Sequence, residues 1–153
     1  MNFNKFTIKA QEAVQAALEL AQNRNHQAVE PAHLLMAMLA DSENIVHQVL
    51  GKLGVRPESI REKLESQLRN FPVVKGVSGS GQHLSNESQA LFDRARKEAT
   101  GLGDEYVSTE HLLLASLEGS GKTKEILSSE GVTREALMNV LEQVRGSQKA
   151  DDP

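Results

Sequence analysis

Cysteine and tryptophan are both missing from this sequence, and its aromatic residues are four Phe and one Tyr. Without cysteine there are no disulfide scaffolds, thiolate metal sites or thiol nucleophiles, and the chain suits a reducing compartment. With aromatics at 3% of residues, the core has to come mainly from Leu, Ala, Val, Ile and Met, which favours helices. Long apolar runs are missing too. The longest, LLMAMLA, is far too short to span a bilayer, and MNFNKFTIKAQEA at the N-terminus has no apolar signal core. A soluble, cytoplasmic protein without a membrane partner is the expectation. A basic excess is also absent: 17 Lys and Arg against 21 Asp and Glu leave a net charge of −4, with no clustered basic stripe for a phosphate backbone. Nucleic acid is not an expected partner.

The chain has 153 residues, 39% of them apolar and 25% charged, the size of one domain or of two small halves sharing a core. One stretch invites an enzymatic reading. EGSGKT, residues 118–123, ends like a phosphate-binding loop, but the glycine required five residues before Gly121 is replaced by Ser116. The preceding HLLLASLE also reads as helix, whereas a phosphate loop leaves a strand and opens a helix. The P-loop reading is rejected.

The chain is written twice. Residues 7–39 laid over 85–117, an offset of 78, match at Gln11/Gln89, Ala17/Ala95, Ala21/Ala99, Val29/Val107, His33/His111, Leu34/Leu112, Leu35/Leu113, Ala37/Ala115 and Leu39/Leu117. After one dropped residue the offset is 77, and Leu50/Leu127, Gly54/Gly131, Val55/Val132, Glu58/Glu135, Leu64/Leu141 and Glu65/Glu142 match. Fixed-offset self-similarity of this kind marks an internal duplication.

Each copy reads as four helices. In the first, running from Thr7 to about Asn23, Ala10, Ala13, Val14, Ala17, Leu18 and Ala21 recur at helical spacing, and Thr7 and Ser85 suit the N-cap. Pro31 and Thr109 begin the second helices. The third span about 44–53 and 123–130, each stopped by a glycine, Gly54 or Gly131. Pro57 and Arg134 open the fourth. We therefore expect an all-α fold of about eight helices, two pseudo-two-fold-related repeats in one domain, 1–146. Repeat one is 1–70, repeat two is 85–146, and the Gly- and Pro-bearing segment 71–84 is a loop. The polar stretch 147–153 reads as a fraying linker.

The motifs VEPAHLLMAML and VSTEHLLLASL, 78 residues apart, with LGKLGV and LSSEGV, resemble the duplicated N-terminal domain of Clp/Hsp100 chaperones. The Glu-Pro-Ala-His form of the first copy and the NFPVVKG segment resemble the ClpB-type disaggregases. The resemblance implies a bacterial, cytoplasmic, substrate-receiving module of a hexameric AAA+ machine. It would bind apolar segments of unfolded or aggregated polypeptides and help deliver them to the pore, alongside the DnaK system. ATP and Mg would belong to AAA+ modules that this chain lacks, so the domain would have no cofactor, no metal and no catalytic residue, and would be monomeric in isolation. Three polar positions match ones associated with function in ClpB-type domains: Thr7, Asp104 and Glu110. Their repeat mates are Ser85, His26 and Ala32, so the carboxylates occur in one copy only, which suggests a polar rim beside the substrate surface or a role in ordering GLGDEYV. Phe3, Phe6, Ile8, Leu91 and Phe92 are the apolar candidates, on the expectation that the first helix of a copy forms the lip of a groove. The alternative is adaptor docking or phosphoarginine recognition, as in ClpC or ClpA; Ala32 removes one of the carboxylates that reading needs. His33 and His111 lack a metal-like partner and read as packing residues of the second helices.

Overall fold

A computed structural model describes residues 2–74, 81–119, 121–146, 150, 151 and 153. Its described residues form eight helices: α1 (Ile8–Asn23), α2 (Pro31–Ala40), α3 (Ile45–Lys52), α4 (Pro57–Arg69), α5 (Asn86–Gly101), α6 (Thr109–Ser116), α7 (Lys122–Ser129) and α8 (Arg134–Arg145). Two short strands, β1 (Ala28–Val29) and β2 (His83–Leu84), pair in parallel, and Phe6 makes a parallel bridge to Val107. The sequence reading did not anticipate these pairings. β2 lies at the end of the segment read as a loop; residues 75–80 of that segment fall outside the described residues.

Local chemistry sets the helix ends, and it does so twice. Thr7 Oγ1 accepts from the Ala10 N–H at 3.1 Å, and Ser85 Oγ from the Ser88 N–H at 3.0 Å. Each side chain thus satisfies one of the N–H groups a helix start leaves unpaired. At the far ends of α1 and α5 the chain turns through a left-handed residue, Asn25 (φ 58°) or Gly103 (φ 74°). The next residue then bonds back, His26 N–H to Ala21 O at 2.9 Å and Asp104 N–H to Ala99 O at 2.8 Å. This is a Schellman closure, and it fixes where His26 and Asp104 stand.

The two copies complete one another. α1 packs on α2 and α5 on α6, while α3 packs on α8 of the other copy and α4 on α7. These cross-contacts interchange when the repeats are swapped, as a pseudo-two-fold arrangement requires. The second helices form the centre: Leu34, Leu35, Met38 and Leu39 of α2, and Leu112, Leu113 and Leu114 of α6, are buried. A helix apolar on every side needs such enclosure, which neither copy supplies alone.

Between α6 and α7, Gly121 (φ 134°) precedes the first residue of α7. Gly121 therefore ends a connection between two helices, Lys122 and Thr123 open α7, and no strand leads directly into them among the described residues.

Candidate functional site

Three charged groups converge where the α5–α6 connection meets α8. Arg145 Nη2 donates to Asp104 Oδ1 at 2.5 Å, and Arg145 Nε lies 3.6 Å from Glu110 Oε2. Asp104 Oδ2 also takes the Nε2–H of His111 at 2.6 Å. That tautomer is imposed from the other side of the ring, because His111 Nδ1 accepts the Ser108 backbone N–H at 2.8 Å. Glu110 Oε1 takes a short hydrogen bond from Ser108 Oγ. Burial alone would push the Asp104 carboxyl up, but Arg145, the Ala150 N–H and His111 together hold it below the ordinary carboxylate value. Burial works against the charge on Arg145 too, and Asp104 and Glu110 outweigh it.

The first copy builds the same frame with different chemistry. His33 Nδ1 accepts the Glu30 N–H at 2.9 Å, as His111 does from Ser108, so His33 presents Nε2–H to His26 Nδ1 at 2.8 Å. Both histidines therefore cap the start of a second helix besides packing within it. Burial, with some help from His26 and Arg24, lowers His33 to about 4. The repeat mates of Asp104, Glu110 and Arg145 are His26, Ala32 and Leu68, none of them a fixed charge. The carboxylates occur in one copy because their cation does. Sequence reasoning passed over Arg145, although its pairing with an apolar mate was a visible signal.

Of the candidate residues, the structure brings Asp104 and Glu110 together at Arg145, where both are buried and form no exposed rim. Thr7 is an N-cap whose N–H donates to Val107 O at 2.9 Å. Phe3, Phe6 and Phe92 form an edge-to-face cluster with ring centroids 4.9, 5.4 and 5.8 Å apart. Phe6 and Phe92 are core, as is Leu91, and Phe3 is half-buried. The expected lip is thus corrected: Phe6, in the bridge to Val107 before α1, and Leu91 and Phe92, on the inner face of α5, are buried. Ile8 alone of the five is well exposed, at 60%. Of the stretch read as a linker, Ala150, Asp151 and Pro153 are described, and two of them bond to the helical body. Ala150 N–H donates to Asp104 Oδ1 at 3.0 Å, Ala150 O accepts from Tyr106 N–H at 2.8 Å, and Pro153 O accepts from Ile8 N–H at 2.9 Å. Residues 147–149 and 152 lie outside the described residues.

An apolar-floored cleft opens elsewhere, between α1, α2 and α4. It measures about 580 Å³, with Ala16, Leu20, Met36, Ala37 and Ala40 lining it and Arg24, Arg61, Glu62, Glu65 and Arg69 charging its wall. Arg24 grips Glu65 with both terminal nitrogens, at 2.5 and 2.6 Å. In the second copy the equivalent groove is crossed by side chains. Arg94, the mate of Ala16, donates twice to Ala115 O at 3.2 and 3.1 Å, and Arg134 bridges Glu98 and Glu118. The sequence reading named none of the cleft residues.

The Clp repeat (R) N-terminal domain family matches residues 5–148. The chain belongs to that family. ClpB chaperones are prominent among its relatives: the chaperone protein ClpB of Bacteroides thetaiotaomicron is 39% identical over 149 residues, 97% of this chain and 17% of that protein. The chain spans under a fifth of the length of the curated relatives it matches. In fold, this Clp N-terminal domain is similar to the Hsp104 N-terminal domain from Candida albicans, with a TM-score of 0.84 and 22% identity over 97% of each chain. It is also similar to a complex of a ClpV N-domain with a VipB peptide, with a TM-score of 0.69 and 18% identity over 95% of this chain and 90% of that one. Among the described residues no group of three or more His, Asp or Glu side chains is arranged to hold a metal ion, and no helix is long and apolar enough to cross a membrane.

Proposed function

We propose that this domain transiently receives exposed apolar segments of unfolded or aggregated polypeptides and passes them to the pore of a hexameric, ATP-dependent disaggregase. The observation that carries this reading is the cleft between α1, α2 and α4, which one copy leaves open and the other fills. A substrate burying roughly 300 Å² there gains about 7.5 kcal/mol at about 25 cal/mol per Å², and the cost of association, about 4 kcal/mol or more, brings binding into the millimolar range or weaker. Weak, sequence-tolerant binding suits a receiver that has to release its cargo. The fold-level relative holding a peptide in complex supports a peptide-binding role. Catalysis, with its ATP and Mg, is assigned to AAA+ modules of the longer protein. The cytoplasm, cooperation with the DnaK system and a monomeric isolated domain belong to the same proposal. The phosphoarginine alternative gains no support, since Glu110 is already engaged by Ser108 and Arg145.

The test is an Ala16→Arg variant, which copies the plug the second repeat already carries. Arginine is a good helix former, and residue 16 is exposed, so the fold should persist. In an NMR titration with a permanently unfolded polypeptide, the wild type should shift at Ala16, Leu20 and Met36, and the variant should bind at least about tenfold more weakly, a loss of about 1.4 kcal/mol. Equal binding by both would remove the cleft from the proposal.

A further inference from the structure

The wall of the α1–α2–α4 cleft carries an excess of positive charge. Arg61, Glu65 and Arg69 follow one another at intervals of four along α4 and share one face of it, and Arg24 reaches over from the end of α1. Both terminal nitrogens of Arg24 are spent on the two oxygens of Glu65. Arg61 and Arg69 are exposed and make no hydrogen bond or ion pair among the described residues, and Arg69 acts on Glu65 only through its field. Glu62 is the one other carboxylate lining the cleft, so three arginines face two glutamates in a chain whose net charge is −4. The second repeat shows that the helical frame does not call for these cations. The mates of Arg24, Arg61 and Arg69 are Leu102, Met138 and Gly146, whereas Glu65 recurs as Glu142. At the opposite end of the α1–α2 seam, Lys9 already has Asp41 at 3.0 Å. The unanswered cations therefore stand on the α4 side of the open groove.

We propose that this cleft selects apolar segments bordered by acidic side chains, whose carboxylates pair with Arg61 and Arg69 while the apolar residues between them cover Leu20, Met36 and the alanines. The inference rests on the receiver reading and names the class of segment that the cleft prefers. The two arginines lie about 12 Å apart along the helix axis, a span that an extended chain covers in about four residues. Arginine suits the task, because its planar fork matches a carboxylate and its charge persists at any physiological pH. Both pairs form at the rim, within reach of water, so each adds little. Together they raise affinity about three- to tenfold over a neutral segment of the same apolar content, and salt reduces the gain.

The experiment titrates acetylated and amidated peptides into the isotope-labelled full chain at low salt, read by NMR. The probes are Glu-Leu-Val-Leu-Glu, Gln-Leu-Val-Leu-Gln and Lys-Leu-Val-Leu-Lys, with Glu-Ser-Ser-Ser-Glu as a control that carries the charge alone. The acidic apolar peptide should bind about three- to tenfold more tightly than the glutamine peptide, and the lysine peptide more weakly than both, with shifts at Ala16, Leu20 and Met36. In the double variant Arg61→Gln, Arg69→Gln the ratio of acidic to glutamine affinity should fall toward one. In Arg61→Lys, Arg69→Lys, which keeps the charge, the ratio should stay above that of the glutamine variant. Equal binding of the three apolar peptides at Ala16 and Met36 overturns the acidic preference and leaves the cleft standing, as does a preference that survives Arg61→Gln, Arg69→Gln. A control peptide that binds as well as the acidic apolar one overturns it too, since the wall would then be pairing with any anion. No shift at Ala16, Leu20 or Met36 with any peptide overturns the cleft itself, and the preference with it.

Discussion

Asp104 and Arg145, 41 residues apart, meet at 2.5 Å in the interior of the second repeat, at a place where the first repeat sets His26 and the apolar Leu68. A duplicated frame has thus taken two interior chemistries, one ionic and one neutral. The ionic version ties the α5–α6 connection to α8, with Asp104 held by Arg145, His111 and the Ala150 N–H. The neutral version joins its two histidines to each other in place of a carboxylate, and the two repeats answer differently to mutation and to acid.

Removing the cation should be costly. Arg145→Leu leaves Asp104 and Glu110 buried without it, a loss of about 3–5 kcal/mol for a broken buried pair. The double variant Arg145→Leu, Asp104→Asn should recover part of that loss, since one orphaned charge is gone. Urea unfolding followed by circular dichroism gives both numbers; a single variant as stable as the wild type contradicts the network.

Acid should first weaken the first repeat. His33 is held at about 4, against 6.5 for an ordinary histidine. The unfolded chain therefore takes up a proton on falling through 6.5, while the folded chain resists until about 4. His33's contribution is complete above pH 6.5 and lost progressively toward pH 4, at most about 3 kcal/mol by linkage. Asp104, whose value is lowered, keeps its contribution throughout this window and loses it only below the ordinary carboxylate range. NMR titration of the ring should show His33 neutral at pH 5, and the urea midpoint should fall between pH 7 and 4.5. A His33 ring titrating near 6.5 would refute the prediction.

Opening the second groove should add a site. Arg94→Ala frees the Ala115 carbonyl from its cover and leaves a small side chain where the first repeat has Ala16. With an unfolded polypeptide, new NMR shifts should appear at Leu114 and Ala115 beside those at Met36 and Ala37. Shifts confined to the first repeat would mean that Arg134 and its carboxylates close the groove without help.

Neither repeat should fold alone. α3 and α4 lean on α8 and α7 of the other copy, so a chain of residues 1–74 exposes the faces of Val46, Val49, Ile60 and Leu64 that packing covers. Circular dichroism of that fragment should show well under half the helicity of the first repeat in the intact domain, and mixing it with residues 81–153 should restore part of it.

The helix boundaries were legible because their causes are local. Thr7 and Ser85 reach an N–H three residues on, and Gly54 and Gly131 close α3 and α7 through bonds to carbonyls within five residues. The site was less legible. Apolar spacing marks Phe6, Leu91 and Phe92 as large apolar side chains on helical or near-helical positions, but it does not say whether a facing element covers them. Arg145 looked like one more charge near the end of a helix. Its partner is 41 residues away, and only the closure at Gly103 turns Asp104 toward it.

The sequence by itself determined the duplication, the all-α class, the helix ends and the family, because each is written in short-range periodicity or in matches at a constant offset. The tertiary structure decided which carboxylates are buried, which groove stays open and where Ala150 and Pro153 lie. Those outcomes depend on groups distant along the chain competing for the same space and the same hydrogen bonds: Arg94 fills what Ala16 leaves empty, and Asp104 is held by Arg145, His111 and Ala150 together.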